Sequence, residues 1–132
     1  MSKYKIVSID EVESIAFGTF LRARAALGIS AFGLQILDLP PNLEQYPEHD
    51  HAEDGQEEVY VVLRGSGEIE LDGERHPLGP ENLVSIQPGT KRKLWPGPDG
   101  LRVVAIGGKA GSAYEPKGLS ELGAADPFVP AA

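Results

Sequence analysis

The sequence predicts an all-β fold, an antiparallel barrel or sandwich, on three observations. The chain carries 16 glycines and 11 prolines in 132 residues. That is a heavy load of turn formers for a composition that is otherwise globular, with 41% apolar and 24% charged residues. The apolar residues fall in short runs separated by turn signals, the spacing of strands in a barrel. One of those signals, Asp72-Gly73, favours the positive φ values of a two-residue hairpin turn. The length suits one domain with a single core, and the lack of a repeat of about 20 to 50 residues sets aside a solenoid or propeller.

Residues 1–30 form an N-terminal extension, in which 3–9 is expected as a short strand and Asp10-Glu11-Val12-Glu13 as one helical turn. Phe17 and Phe20 alternate poorly with their neighbours, and Arg22 and Arg24 interrupt any apolar face. These residues are assigned no site role and are placed at an edge or a subunit contact. The barrel is expected over 31–108. It opens with a strand over 31–39, stopped by Pro40-Pro41 because proline removes a ladder donor. A polar loop with Pro47 and Gly55 follows over 44–56. Strands are expected at 58–63, 68–71 and 74–78, with Gly65-Ser66-Gly67 as a turn between the first two. Three more, at 83–86, 91–95 and 101–106, are separated by Gln87-Pro88-Gly89 and by Pro96-Gly97-Pro98-Asp99-Gly100. Residues 109–132, rich in Gly, Ala, Ser and Pro, are expected as a tail with little structure of its own.

Charge and composition narrow the partners. A net charge of −8 argues against nucleic acid or an anionic membrane, which recruit clustered Lys and Arg. The only basic run, Lys91-Arg92-Lys93, is too short to overturn this. With no cysteine, any metal must be held by imidazole and carboxylate. The first ten residues lack the apolar core of a signal peptide, and no stretch approaches the roughly 20 apolar residues that span a bilayer. A cytoplasmic protein is expected.

Of three histidines, His49 and His51 lie two apart beside a stretch dense in carboxylates. Residues i and i+2 of an extended chain project to one face, so both imidazoles can reach one ion. A carboxylate from a neighbouring strand would complete the set, and Gln56-Glu57-Glu58 supplies candidates. Parity puts Gln56 and Glu58 on one face and Glu57 on the other. Tyr60 and Val62 share the parity of Glu58 and would line the same cavity, whereas Trp95 lies with Lys91 and Lys93, opposite Arg92. His76, alternating with Leu78, is expected in the core. Spacing alone would equally suit two solvated histidines in an acidic loop.

The stretch from His49 to Gly67, His-Asp-His followed by Glu-Glu-Val-Tyr-Val-Val-Leu-Arg-Gly-Ser-Gly, resembles the first sequence motif of the cupin superfamily. That motif has two histidines flanking one residue, then a glutamate, six residues and a glycine. Counting back from Gly65 puts the family's ligand glutamate at Glu58. The interval from His51 to Glu58 is longer than usual and Leu43 stands where a glycine is common, which leaves Glu57 and Gln56 open as ligands. Gly79 to Arg92 resembles the second motif, with Gln87-Pro88-Gly89-Thr90 as its turn. The histidine that serves the family as fourth ligand falls on Arg92, whose guanidinium stays protonated and does not ligate a metal.

The resemblance covers about 32–107 and implies a double-stranded β-helix, or jelly roll, with ligands inside the barrel and a homodimer in which Phe128 and Val129 pack. It implies either a divalent ion (Fe, Mn, Ni or Zn) on His49, His51 and Glu58, with open positions, or no metal. With the ion, Arg92 and Tyr60 are the expected substrate-binding residues, Arg92 gripping the carboxylate or phosphate of an anionic small molecule, and the activity would be that of an oxygenase or isomerase. Without it, Arg92 would pair with Glu58, and the barrel would be a binding or sensor module for a sugar-like or apolar ligand. The fold hosts many chemistries and names no reaction. Gly65-Ser66-Gly67 lacks the following helix that phosphate cradling requires.

Overall fold

Seven strands join one antiparallel sheet in the computed structural model, which describes residues 3–129. They are β1 (Ser14–Ile15), β2 (Phe20–Leu21), β3 (Gly33–Leu39), β4 (Glu57–Leu71), β5 (Glu74–Leu78), β6 (Leu83–Ile86) and β7 (Arg92–Gly108). The order along the sheet is β1-β2-β3-β7-β4-β5, with β6 also paired to β4. A short helix, α1 (Ala23–Leu27), separates β2 from β3. The ends of the expected extension and tail, residues 1–2 and 130–132, lie outside the described residues.

β4 and β7 each run through a place where the sequence predicts a break. Gly65-Ser66-Gly67 is not a turn: the chain continues through it, with register shifts against β7 between Val62 and Arg64 and between Gly65 and Gly67. Gly65 has φ +80°. A Cβ there would collide with the carbonyl of Gly100, and one at Gly67 with the carbonyl of Trp95. The glycines therefore serve a close crossing of two backbones, and the bulges bend the strand without reversing it. Before the bend β4 pairs with β6 and the second half of β7; after it, with β5 and the first half of β7. This sharing of two long bent strands closes the barrel. The Asp72-Gly73 hairpin forms as expected, both residues having positive φ.

The larger core, including Leu37, Leu39, Tyr60, Ile69, Leu94 and Val103, fills the barrel. A smaller cluster on the other face of β3 packs Leu21, Ala23 and Ile36 against Ile9, Val12 and Val104. Residues 3–8 form no strand, a departure from expectation with a simple cause: the sheet edge starts at Ser14, and Tyr4 and Ile6 are exposed with nothing to pair against. The expected helical turn is present as a 3-10 turn at Ile9–Glu11. His76 is exposed, not in the core, because β5 is an edge strand open to solvent until Leu78.

Among its described residues the tail holds a single 3-10 turn, Gly118–Ser120, yet it is anchored. Arg22, 1% exposed, donates from Nε to the Leu119 carbonyl (2.8 Å), from Nη2 to the Ala124 carbonyl (2.9 Å) and from Nη1 to Glu13 (2.8 Å). Glu13 also accepts from the Gly123 amide, Asp126 accepts from the Ala16 amide, and Arg24 pairs with Glu121 at 2.7 Å. The two arginines that break the apolar pattern of the extension thus tie it to the tail. Among the described residues no helix is long and apolar enough to cross a membrane.

Candidate metal centre and its cavity

The backbone of the second motif sets the histidines of the first. His49 and Arg92 exchange main-chain hydrogen bonds, His49 N to Arg92 O at 3.0 Å and Arg92 N to His49 O at 2.8 Å. The His51 amide donates to the Pro88 carbonyl at 2.7 Å. The histidine loop is thereby held against the Pro-Gly turn with both imidazoles on one side, their centroids 5.3 Å apart. Glu58 approaches from β4, and one ligand atom from each of His49, His51 and Glu58 lies within 4.8 Å of the others. Glu57 faces outward, as parity requires, and accepts from Gln87 at 3.1 Å. Gln56 lines the same cavity as Glu58.

Each imidazole is oriented through Nδ1. His49 Nδ1 lies 3.2 Å from the Pro47 carbonyl, and His51 Nδ1 lies 3.0 Å from Asp54 Oδ2. Both Nε2 atoms are left for another partner, the arrangement in which an acceptor behind a histidine fixes the tautomer that ligates a metal. His51 Nε2 is buried and has no hydrogen-bond partner; Glu58 Oε1 lies 3.3 Å away without hydrogen-bond alignment. An orphaned buried nitrogen, a second imidazole and a carboxylate are a donor set that fits a divalent cation.

The interaction with Glu58 raises the His51 pKa above its ordinary value; burial opposes this and Asp54 reinforces it. Burial lowers the pKa of His49, against the pull of the Pro47 carbonyl. Burial alone would push Glu58 up, but His51 and the Arg92 charge hold it below the usual carboxylate range. Tyr60 is pushed well above the usual phenol value by burial, so it remains a donor, and its hydroxyl lies 3.2 Å from Glu58 Oε1.

Arg92 is fully buried. Its Nη1 donates to Glu58 Oε1 at 2.7 Å and its Nη2 to the Gln87 carbonyl at 2.9 Å, while Nε has no partner. It lies behind Glu58 and is not among the residues lining the cavity, whereas Tyr60 is. The anion grip expected of Arg92 on a substrate is therefore occupied by Glu58. Trp95 is on the outer side, with Arg75 and Lys93 over its ring at 3.9 and 4.1 Å.

In front of the three ligands opens a cavity of about 740 Å³. β3 contributes Leu37 and Leu39, β7 contributes Ala105, and Phe20, to which the sequence assigns no site role, forms part of the wall. Leu119 and Phe128 of the tail complete it. Besides Phe20, two features were missed from sequence. Asp54 was one: the long interval between His51 and Glu58, with Gly55 at φ +70°, is the signal, because those extra residues form the turn that returns Asp54 to His51. The tail wall was the other, and its only trace is the lone Phe128-Val129 pair.

The cupin domain family model matches residues 35–107, more than half of the chain. No curated protein matches the sequence. Among solved structures, a cupin protein from Bacteroides fragilis is 25% identical with a TM-score of 0.70, over 89% of this chain and 93% of that one. A protein with a double-stranded β-helix domain from Klebsiella pneumoniae (19% identity, TM-score 0.65, 88% of this chain and all of that one) has a similar fold. So does a sugar phosphate isomerase of the cupin superfamily from Silicibacter pomeroyi (17% identity, TM-score 0.62, 80% and 76%).

Proposed function

The chain belongs to the cupin domain family, and from that premise we propose that it is a metal-dependent small-molecule protein, with a divalent ion held by Nε2 of His49, Nε2 of His51 and the Glu58 carboxylate. One observation carries this reading: the buried His51 Nε2, which makes no hydrogen bond and faces Glu58 Oε1 at 3.3 Å, its ring fixed from behind by Asp54. Fe, Mn, Ni and Zn all suit an imidazole and carboxylate set. Bound there, such an ion would supply Lewis-acid polarisation of a ligand oxygen. The surrounding residues do the positioning. Arg92 donates to Glu58 Oε1 and holds it, the Tyr60 hydroxyl donates to the same oxygen, and the Pro47 carbonyl sets the ring of His49. A three-ligand set leaves positions for a ligand that enters from the cavity. The likeness to the Silicibacter pomeroyi isomerase supports the fold and not its reaction.

Metal analysis of untagged protein should return about one ion per chain, and His51→Ala should abolish it. A metal-free preparation that Fe, Mn, Ni and Zn all fail to reload would overturn the reading. The 2.7 Å Arg92–Glu58 contact favours a second reading, a metal-free binding module. That reading predicts that His49→Ala leaves both melting temperature and ligand affinity unchanged.

A further inference from the structure

The cavity in front of the proposed ion is built for a different molecule from the sugar phosphate that one fold neighbour acts on. Its walls are mainly apolar, with Phe20, Leu37, Leu39, Ala105, Leu119 and Phe128, and are interrupted by the uncharged polar side chains of Thr19, Gln35, Gln45, Gln56 and Ser120. The ionisable side chains facing it, apart from the buried tyrosines, are His49, His51 and Glu58 at one end, Tyr114, and Lys117. Lys117 is more than half exposed, and its Nζ lies 3.3 Å from Asp54 Oδ2. Arg92, the remaining nearby cation, is turned away onto Glu58.

We infer that the ligand is an apolar molecule, of the aryl or branched alkyl kind, carrying a single anionic oxygen head that sits at the His49–His51–Glu58 end. The inference rests on the metal-centre reading for the placement of the head, and on the cavity alone for the apolar body. A divalent ion beside one carboxylate and one guanidinium leaves that end of the cavity net positive, which favours one anionic oxygen. Beyond it, among the described residues, the cavity is lined by one cation, Lys117, which is more than half exposed and already paired with Asp54. The few uncharged polar side chains of the walls are outnumbered by apolar ones, so a sugar would set several of its hydroxyls against leucine and phenylalanine with their hydrogen bonds unmade, at about 1–3 kcal/mol for each buried group. A volume of about 740 Å³ holds a molecule of metabolite size. Because Leu119 and Phe128 belong to the segment tied down by Arg22, the tail is one wall of the specificity pocket.

The test uses untagged protein, zinc-loaded and EDTA-treated, with the uncharged fluorophore N-phenyl-1-naphthylamine as probe. The probe should bind both forms. 3-Phenylpropionate should displace it, about tenfold more tightly from the zinc-loaded form, whereas glucose 6-phosphate should displace it from neither. Phe128→Ala, a half-exposed site whose loss leaves the barrel intact, should weaken probe binding about threefold with metal content unchanged. Failure of the probe to bind, or displacement by glucose 6-phosphate as tight as by 3-phenylpropionate, overturns the inference. If the probe binds but 3-phenylpropionate gains nothing from zinc while about one ion per chain is retained, the placement of the head is overturned and the metal reading stands; if no zinc is retained, it is the metal reading that fails.

Discussion

Arg92 and Arg22 are equally buried, at 0% and 1% exposure, and their surroundings set them to opposite tasks. Every nitrogen of Arg22 is engaged, two of them with main-chain carbonyls of the tail, and its carboxylate partner Glu13 is 43% exposed. It is a cross-link between chain ends whose counter-charge can return to water. Arg92 holds Glu58, only 12% exposed, through an oxygen that also faces His51 and Tyr60, and its own Nε is unpartnered. A buried arginine satisfied by backbone marks a structural tie. One bonded to a carboxylate that other titratable groups share marks a site whose charge balance can change.

Removing each arginine should separate the two tasks. Arg92→Met leaves Glu58 buried without its cation, and in EDTA-treated protein it should cost about 3–5 kcal/mol in urea unfolding. Added zinc should recover a large part of that loss, because the ion takes over as counter-charge to Glu58. A loss that zinc does not alter would show that Arg92 and the ion are not interchangeable neighbours of Glu58.

Arg22→Met should cost less, about 2–3 kcal/mol, since Glu13 can rehydrate and the main loss is of donors to the Leu119 and Ala124 carbonyls. This loss should be the same with and without zinc. Hydrogen exchange at Ser120 and Ala124, whose amides are bonded within the tail, and at Gly123, whose amide donates to Glu13, should accelerate selectively. Uniform acceleration across the barrel would mean that Arg22 supports the whole fold and not the tail alone.

The barrel was legible in the sequence because turn chemistry and alternation are local. Asp72-Gly73 forms the expected hairpin, and 83–86 is the strand β6 at the expected bounds. Gly65-Ser66-Gly67 misled because a glycine required by close backbone approach is spelled the same way as one required by a turn. Only the facing carbonyls of Gly100 and Trp95 distinguish the two, and they lie more than 25 residues on. The histidine pair with Glu58 was legible from parity, and the burial of Arg92 from its place in the second motif. What local pattern could not supply was the partner of each buried charge: that Asp54 turns back to His51, and that Arg22 and Arg24 reach residues 119–124, almost a hundred positions away.

The smallest expected effect tests whether the ion takes the place of a proton. In the metal-free protein His51 has its pKa raised above 6.5, so it contributes stability that is fully present below pH 6.5 and lost as pH rises through the raised value. His49, with its pKa lowered, contributes in the opposite sense, its share being lost as pH falls below 6.5 through the lowered value. Glu58 and Asp54, both lowered, contribute only on the acid side, where their loss follows protonation. Upward from pH 6.5, therefore, the melting temperature of EDTA-treated protein should decline, and His51→Asn should flatten that decline. With zinc the slope should reverse, because the ion binds a neutral imidazole and displaces the proton that Glu58 favours on His51. The two melting curves should diverge as the pH rises. Parallel curves would mean that zinc and the His51 proton do not compete for the same nitrogen, and would place any bound zinc away from Nε2.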